Sequence, residues 1–238
     1  MLAPPSIVPG HQSPKAVILD VDGVFVDSIG AHARSWLDVL AEGGHRASYE
    51  HARHLIGLGD DAILLALTGL AADNDAGRQV LQRRLEIFRH GYLPYLRSFP
   101  AARAIALRMR ESGITRLVAS SASPEILARL LDIAEVRDLV ETVAPGDDDP
   151  DPDIVRAALR RAGAPPGRTL MIAATPYDIE AAGRAGVRTI ALRGDGGWSE
   201  QDLAGALAIF DDPLDLLLHY DESPLVGRGQ WVTAAAAK

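Results

Sequence analysis

Short apolar runs separated by amphipathic stretches set the pattern of this chain. Residues 15–20 (KAVILD) are apolar and end on an acid, and 115–120 (TRLVAS) end on hydroxyls. Residues 168–174 repeat the form, 187–192 (VRTIAL) add a fourth run, and Ala208-Ile209-Phe210 is a fifth. Runs of this length bounded by turn residues predict buried β-strands. Between them, residues 101–111, 124–133, 153–161, 177–185 and 199–206 carry apolar residues at helical spacing. Strands alternating with helices imply parallel βαβ crossovers, so the fold class is α/β with a Rossmann-like parallel sheet as its core. Sites in such open sheets gather at the carboxyl ends of the strands. Asp20, Ser120 and Ser121, and the loop 174–178 are therefore expected on one rim.

Residues 31–98 break the alternation. Stretches 31–42, 60–67 and 76–96 are helical by period, with Trp36, Leu37 and Leu40 on one face, and no strand-like run divides them. The expectation is a flexible leader (1–14), an α/β core (15–30 and 99–220), an inserted helical cap (31–98) covering the rim like a lid, and a loosely ordered tail (221–238).

Composition narrows the classes. A chain of 238 residues suits one sizeable domain or a core with a smaller insert. No apolar run approaches the roughly 20 residues needed to cross a bilayer, and the N-terminal stretch MLAPPSIVPGHQSPK lacks the form of a signal peptide. With no cysteine there is neither a disulfide framework nor thiolate chemistry, and a cytoplasmic location is expected. A formal net charge of −8 argues against nonspecific binding to nucleic acid or anionic membranes. The expected partner is a small molecule; oligomeric state is left open.

The strongest chemical signal is VILDVDGVFVDS. Asp20 sits at a strand tip, Asp22 lies two residues on, and Gly23 permits a sharp turn. Two acids so placed serve either as a nucleophile and a proton carrier or as oxygen donors to a hard cation such as Mg²⁺; a solvated turn is the plain alternative. A second stretch, LVASSASPEIL, brings hydroxyls to the start of a helix, where amide groups favour an anion, while Ser123 and Pro124 have the form of a helix cap.

These stretches resemble the first and second motifs of the haloacid dehalogenase superfamily, mostly phosphohydrolases and phosphomutases, over roughly residues 15–220. AHARSW and LIGLGDD resemble the helical cap of the subgroup containing β-phosphoglucomutase and phosphoglycolate phosphatase. The resemblance implies that Asp20 attacks phosphorus to form an aspartyl-phosphate, and that Asp22 protonates the leaving group and then activates water. It implies Mg²⁺ on the Asp20 carboxylate and the Asp22 main-chain carbonyl, with Asp178 holding the ion through water, and phosphate binding by Ser121 with the Ala122 amide beside it.

Three positions depart from the family pattern. In DDDPDPDIVRAAL, Asp149 stands where the third motif has a Lys, within a run that otherwise reads as an acidic surface loop. In Ala173-Ala174-Thr175-Pro176-Tyr177-Asp178, Ala174 stands where the fourth motif has a metal-binding acid, and only the second acid, Asp178, is kept. In the cap, Ala62 takes the place of a common Lys. A charge pair at 4 Å is worth on the order of 4 kcal/mol at an effective dielectric near 20, so exchanging Lys for Asp costs an anion at most ~5–8 kcal/mol. Arg34 is the basic group best placed in sequence to compensate.

Other residues attract plainer readings. His51 and His54 share a face if their segment is helical, without forming a ligand set. Trp36, Phe88, Tyr92 and Tyr95 read as the core of the insert, Tyr177 reads either as a rim residue or as packing, and Gly194-Asp195-Gly196-Gly197 reads as a loop. The leading function is hydrolysis of a small phosphorylated metabolite through Asp20, weakened at Asp149 and Ala174. The alternatives are a ligand-binding protein that has lost catalysis, and a metal-independent acid–base catalyst that exploits crowded carboxylates.

Overall fold

The computed structural model describes residues 7–8, 13–143, 153–194, 197–227 and 230–231. In chain order the elements are β1 (Ile7–Val8), β2 (Ala16–Leu19), α1 (Ile29–Glu42), α2 (Tyr49–Leu55), α3 (Asp60–Thr68), α4 (Asp75–Ile87), α5 (Ala102–Glu111), β3 (Thr115–Ala119), α6 (Pro124–Ile133), β4 (Glu141–Val143), α7 (Ile154–Ala162), β5 (Thr169–Ala173), α8 (Pro176–Arg184), β6 (Arg188–Leu192), β7 (Ala208–Phe210), α9 (Pro213–Leu218) and β8 (Gln230–Trp231). The chain forms two compact units, Asp27–Arg97 and the remainder.

The larger unit is built on a six-stranded sheet, ordered β4-β3-β2-β5-β6-β7, with every pairing parallel. Ala16, Val17, Ile18 and Leu19 of β2 are all fully buried, as a central strand covered on both faces demands. After β2 the chain builds outward through β3 and β4, then returns to the other side of β2 with β5. That reversal is the topological switch point, where open α/β sheets place their ligands. Val155 and Ala158 of α7 and Ala182 of α8 pack with Ala16, Ile18, Leu117, Met171 and Ala173 in one apolar cluster. Tyr177 joins a second cluster with Ala191, Trp198, Leu203 and Ala206, its ring meeting Trp198 edge-on at 6.0 Å; packing is its role.

Four differences from the sequence expectation have local causes. The strand β4 carries no apolar run, because two of its three residues are exposed at the sheet edge. Residues 199–206 form turns rather than a helix: the Ser199 hydroxyl donates to Asp202 Oδ2 at 2.6 Å and accepts the Asp202 amide at 3.2 Å, the side-chain competition that favours turns over helices. Helix α9 is short but capped by Asp212, whose Oδ1 accepts the Asp215 amide at 2.9 Å. Past Asp221 the chain still packs, with Ser223 and Leu225 both buried, and β1 pairs antiparallel with β8.

The smaller unit is helical. Ile29, Ala33, Trp36, Val39 and Leu40 line the buried face of α1. The helix expected over 76–96 stops at Ile87 and continues as a π-helical turn, Phe88–Tyr92, and a 3₁₀ turn, Leu93–Tyr95; Pro94 has no N–H to extend an α-helix. Phe88 and Trp36 are fully buried, as expected, whereas Tyr95 is 75% exposed and belongs to no core. Burial and its bond to Asp38 Oδ2 at 2.5 Å push the Tyr92 hydroxyl up to about 12. Arg84 is buried among aromatic rings, over Trp36 and Phe88 at 5.4 Å each. It pairs with Asp60 Oδ2 at 3.1 Å and donates to His32 Nδ1 at 2.5 Å. His51 and His54 lie on α2, where His54 Nδ1 bonds the Glu50 carbonyl at 2.7 Å.

Candidate active site

Three loops leave the carboxyl ends of adjacent strands in the sheet unit. The first follows β2. Leu19 is in register with Val118 of β3 and Ile172 of β5, and the Asp20 amide extends the ladder to the Ile172 carbonyl at 3.0 Å. The chain then turns sharply. Gly23 adopts a φ of 74°, its amide reaching the Val26 carbonyl at 2.9 Å, while the amides of Phe25 and Val26 return to the Val21 carbonyl. The left-handed φ at Gly23 costs a glycine nothing and a side chain about 1–2 kcal/mol. This tight loop fixes Asp20, whose Oδ1 accepts the Val21 amide at 2.7 Å.

The second loop follows β3. Ser120 is buried and its Oγ accepts the Ala122 amide at 3.1 Å, while Ser121 is exposed. Ser123 caps α6, accepting the Ile126 amide at 3.4 Å, with Pro124 in the first turn. The three hydroxyls thus differ in role: Ser120 holds the turn, Ser123 starts the helix and Ser121 is left exposed. The Ala122 amide, expected beside the phosphate, donates to Ser120 Oγ.

The third loop joins β5 to α8. Ala173 and Ala174 are both fully buried. Thr175 caps α8, and its hydroxyl also donates to Asp178 Oδ2 at 2.7 Å. Sequence reasoning missed Thr175, although Thr-x-x-Asp before a helix is a capping signal.

Electrostatics tie the three acids together. Burial raises the proton affinity of Asp20 well above the ordinary carboxylate range, and the charges of Asp178 and Asp22 raise it further; the amides of Val21 and Asp22 oppose the shift. Burial also pushes Asp178 up to about 6, against its bonds from Thr175 and with the repulsion of Asp22. Among the described residues, the charges that shift Asp20 and Asp178 are all carboxylates. Asp149, with Asp147 and Asp148, lies outside the described residues, as do Asp195 and Gly196. Arg34 belongs to the helical unit, exposed on α1 with its guanidinium over the Tyr49 ring at 5.0 Å.

The family resemblance implies magnesium, which takes octahedral oxygen ligation. Among the described residues, no group of three or more His, Cys, Asp or Glu side chains is placed to hold a metal ion. Asp178 already shares one oxygen with Thr175, and position 174 contributes a methyl group. The donors are right in kind, but among the described residues no third ligating side chain joins them, and the donor set falls short of what the family's metal site requires.

Comparison with known proteins agrees with this geometry. Residues 14–186 match the family model for haloacid dehalogenase-like hydrolases. The chain is 33% identical over 214 residues to a phosphoglycolate phosphatase from Rhodospirillum rubrum, covering 84% of this chain and 88% of that one. Its fold resembles a hydrolase from Pseudomonas syringae (TM-score 0.78, 24% identity, 87% and 98% coverage) and CbbY from Rhodobacter sphaeroides in complex with phosphate (TM-score 0.69, 23% identity, 85% and 96% coverage). Among the described residues, no helix is long and apolar enough to cross a membrane. Strand order, the paired acids after the central strand and the matched sequence agree: this chain belongs to the haloacid dehalogenase-like hydrolase family, on the branch that carries a helical cap.

Proposed function

We propose that this hydrolase cleaves a small phosphorylated metabolite through a covalent aspartyl-phosphate at Asp20. The observation that carries the reading is the position of Asp20 and Asp22 immediately after central strand β2, at the switch point of the sheet. The Asp20 carboxylate attacks phosphorus, the ester P–O bond breaks, and Asp22 gives its proton to the departing alcohol oxygen. Asp22 then takes a proton from water, the water oxygen attacks phosphorus, and Asp20 leaves as a carboxylate while phosphate departs. Ser121, exposed beside the start of α6, is the hydroxyl offered to the phosphate. Asp178 is read as a group that orients the rim rather than one that reacts. Magnesium supplies charge neutralisation in this family, and no step is assigned to it here because the donor set is short.

Among the described residues the charges that shift Asp20 and Asp178 are carboxylates, which oppose a phosphate dianion, so turnover is expected to be slow. Each ~1.4 kcal/mol of missing transition-state stabilisation removes a factor of ten in rate. The test is a panel of small phosphomonoesters, headed by 2-phosphoglycolate because of the named relative, with p-nitrophenyl phosphate as a general probe. Turnover that Asp20→Asn abolishes supports the reading; turnover unchanged by Asp20→Asn defeats it.

One observation favours a second reading. Asp20 and Asp178 both hold protons more tightly than ordinary carboxylates, as groups do when poised for proton transfer. A metal-independent acid–base catalyst acting on a non-phosphorylated substrate, or a ligand-binding protein without turnover, would give a blank phosphatase panel.

A further inference from the structure

We infer that this rim has no resident divalent cation, and that the methyl group at Ala174 is what withholds one. The inference rests on family membership and on the donor geometry, and does not require the phosphatase reading.

Position 174 is well placed to decide the matter. Strands β2 and β5 are neighbours, in register at Leu19 and Ile172, and the Asp20 amide bonds the Ile172 carbonyl at 3.0 Å. The two chains therefore leave the sheet side by side, one into Asp20 and the other through Ala173 into Ala174. Ala174 is fully buried, so a carboxylate there would stand inside the rim rather than in solvent.

The acids that are present do not replace it. Asp178 lies in the first turn of α8, and its Oδ2 accepts the Thr175 hydroxyl at 2.7 Å. Turning that oxygen toward a cation forfeits a charge-assisted bond. Asp20 Oδ1 also accepts the Val21 amide at 2.7 Å. Among the described residues no three ligating side chains converge. The rim is rich in negative charge, so what it lacks is ligand number. Mg²⁺ keeps several of its waters and is held by only one or two directly bonded carboxylates, so a single missing acid removes a large share of the protein's hold on it. Restoring one carboxylate at 174 gives the ion a second directly bonded acid beside Asp20, and the ion offsets the cost of burying that acid.

The experiment is a binding titration of the full chain with Mg²⁺ by calorimetry and with Mn²⁺ by electron paramagnetic resonance. It includes Ala174→Asp and the double variant Asp20→Asn/Ala174→Asp. The unaltered chain is expected to show no saturation below about 1 mM. Ala174→Asp is expected to bind at least about tenfold more tightly, and the double variant to lose that gain. Saturation of the unaltered chain below about 1 mM overturns the inference, as does a folded Ala174→Asp that binds no better. Should Ala174→Asp fail to fold, the titration of the unaltered chain alone decides. Because binding is read without turnover, tight magnesium leaves the phosphatase reading standing, and a blank phosphatase panel leaves the binding result untouched.

Discussion

Thr175 and Asp178 hold each other in a reciprocal pair. The Thr175 hydroxyl donates to Asp178 Oδ2 at 2.7 Å and accepts the Asp178 amide at 3.3 Å. One side chain thereby begins α8 and fixes a half-buried carboxylate beside Asp20 and Asp22. The pair keeps an acid in an unfavourable place, so its consequences are measurable.

The first is a pH dependence of stability. Asp178 binds its proton with a value of about 6 in the folded chain, against about 3.9 when unfolded. A raised value means that the folded state holds the proton more tightly. The stabilisation is complete below about pH 4 and is lost as pH rises through about 6. Asp20 is shifted in the same direction. The Asp178 contribution is on the order of 2–3 kcal/mol. Thermal melts in excess chelator should give a higher Tm near pH 5 than near pH 7.5. Asp178→Asn should raise the Tm at the higher pH and flatten the profile; a wild-type Tm that falls on acidification contradicts the assignment.

Ser121 and Ser123 should separate function from folding. Ser123→Ala removes the cap of α6 and should cost about 1 kcal/mol in denaturant unfolding. Ser121 is exposed, so Ser121→Ala should leave stability within about 0.5 kcal/mol while weakening inhibition by inorganic phosphate. Equal stability losses would show that Ser121 has a structural duty.

Gly77 should resist the exchange that usually strengthens a helix. In an open helix interior Gly→Ala gains about 1 kcal/mol. A Cβ at Gly77 would stand 2.0 Å from the Ala71 carbonyl oxygen, a backbone atom with little room to yield. Gly77→Ala should therefore destabilise by roughly 1–3 kcal/mol, read by chemical denaturation. A neutral or stabilising result would mean that the 71–77 turn relaxes freely.

Arg84 tests the packing of the helical unit. Its guanidinium lies over Trp36 and Phe88 and pairs with Asp60. Arg84→Ala should cost about 2–5 kcal/mol, through a cavity as much as a lost charge. Arg84→Met, close in length and apolar, should recover more than half of that. Equal losses for both variants would show that the ion pair, and not the packing, dominates.

Much of this protein was legible along the chain. Four apolar runs became β2, β3, β5 and β6, because strands buried on both faces leave an unbroken apolar signature, and Ala208-Ile209-Phe210 became the half-buried edge strand β7. Asp20 and Asp22 were legible because a glycine turn directly after such a strand has few structural reasons to carry two acids. Strand β4 was not, since an edge strand of three residues with two exposed needs no apolar pattern. The end of α4 at Ile87 was also obscured, because helical spacing continues past it and only Pro94 hints at the break.

The sequence by itself determined the alternation of strand and helix, the placement of Asp20, Asp22 and Ser121 at strand ends, and the exchange of an acid for Ala174. These are local facts, set by side-chain periodicity and by the residues that each turn tolerates. Only the tertiary structure decided that burial, and then the charges of Asp178 and Asp22, raise the proton affinity of Asp20. That depends on which strand ends lie side by side and on how far water is kept from them, and neither quantity is written in the order of residues along the chain.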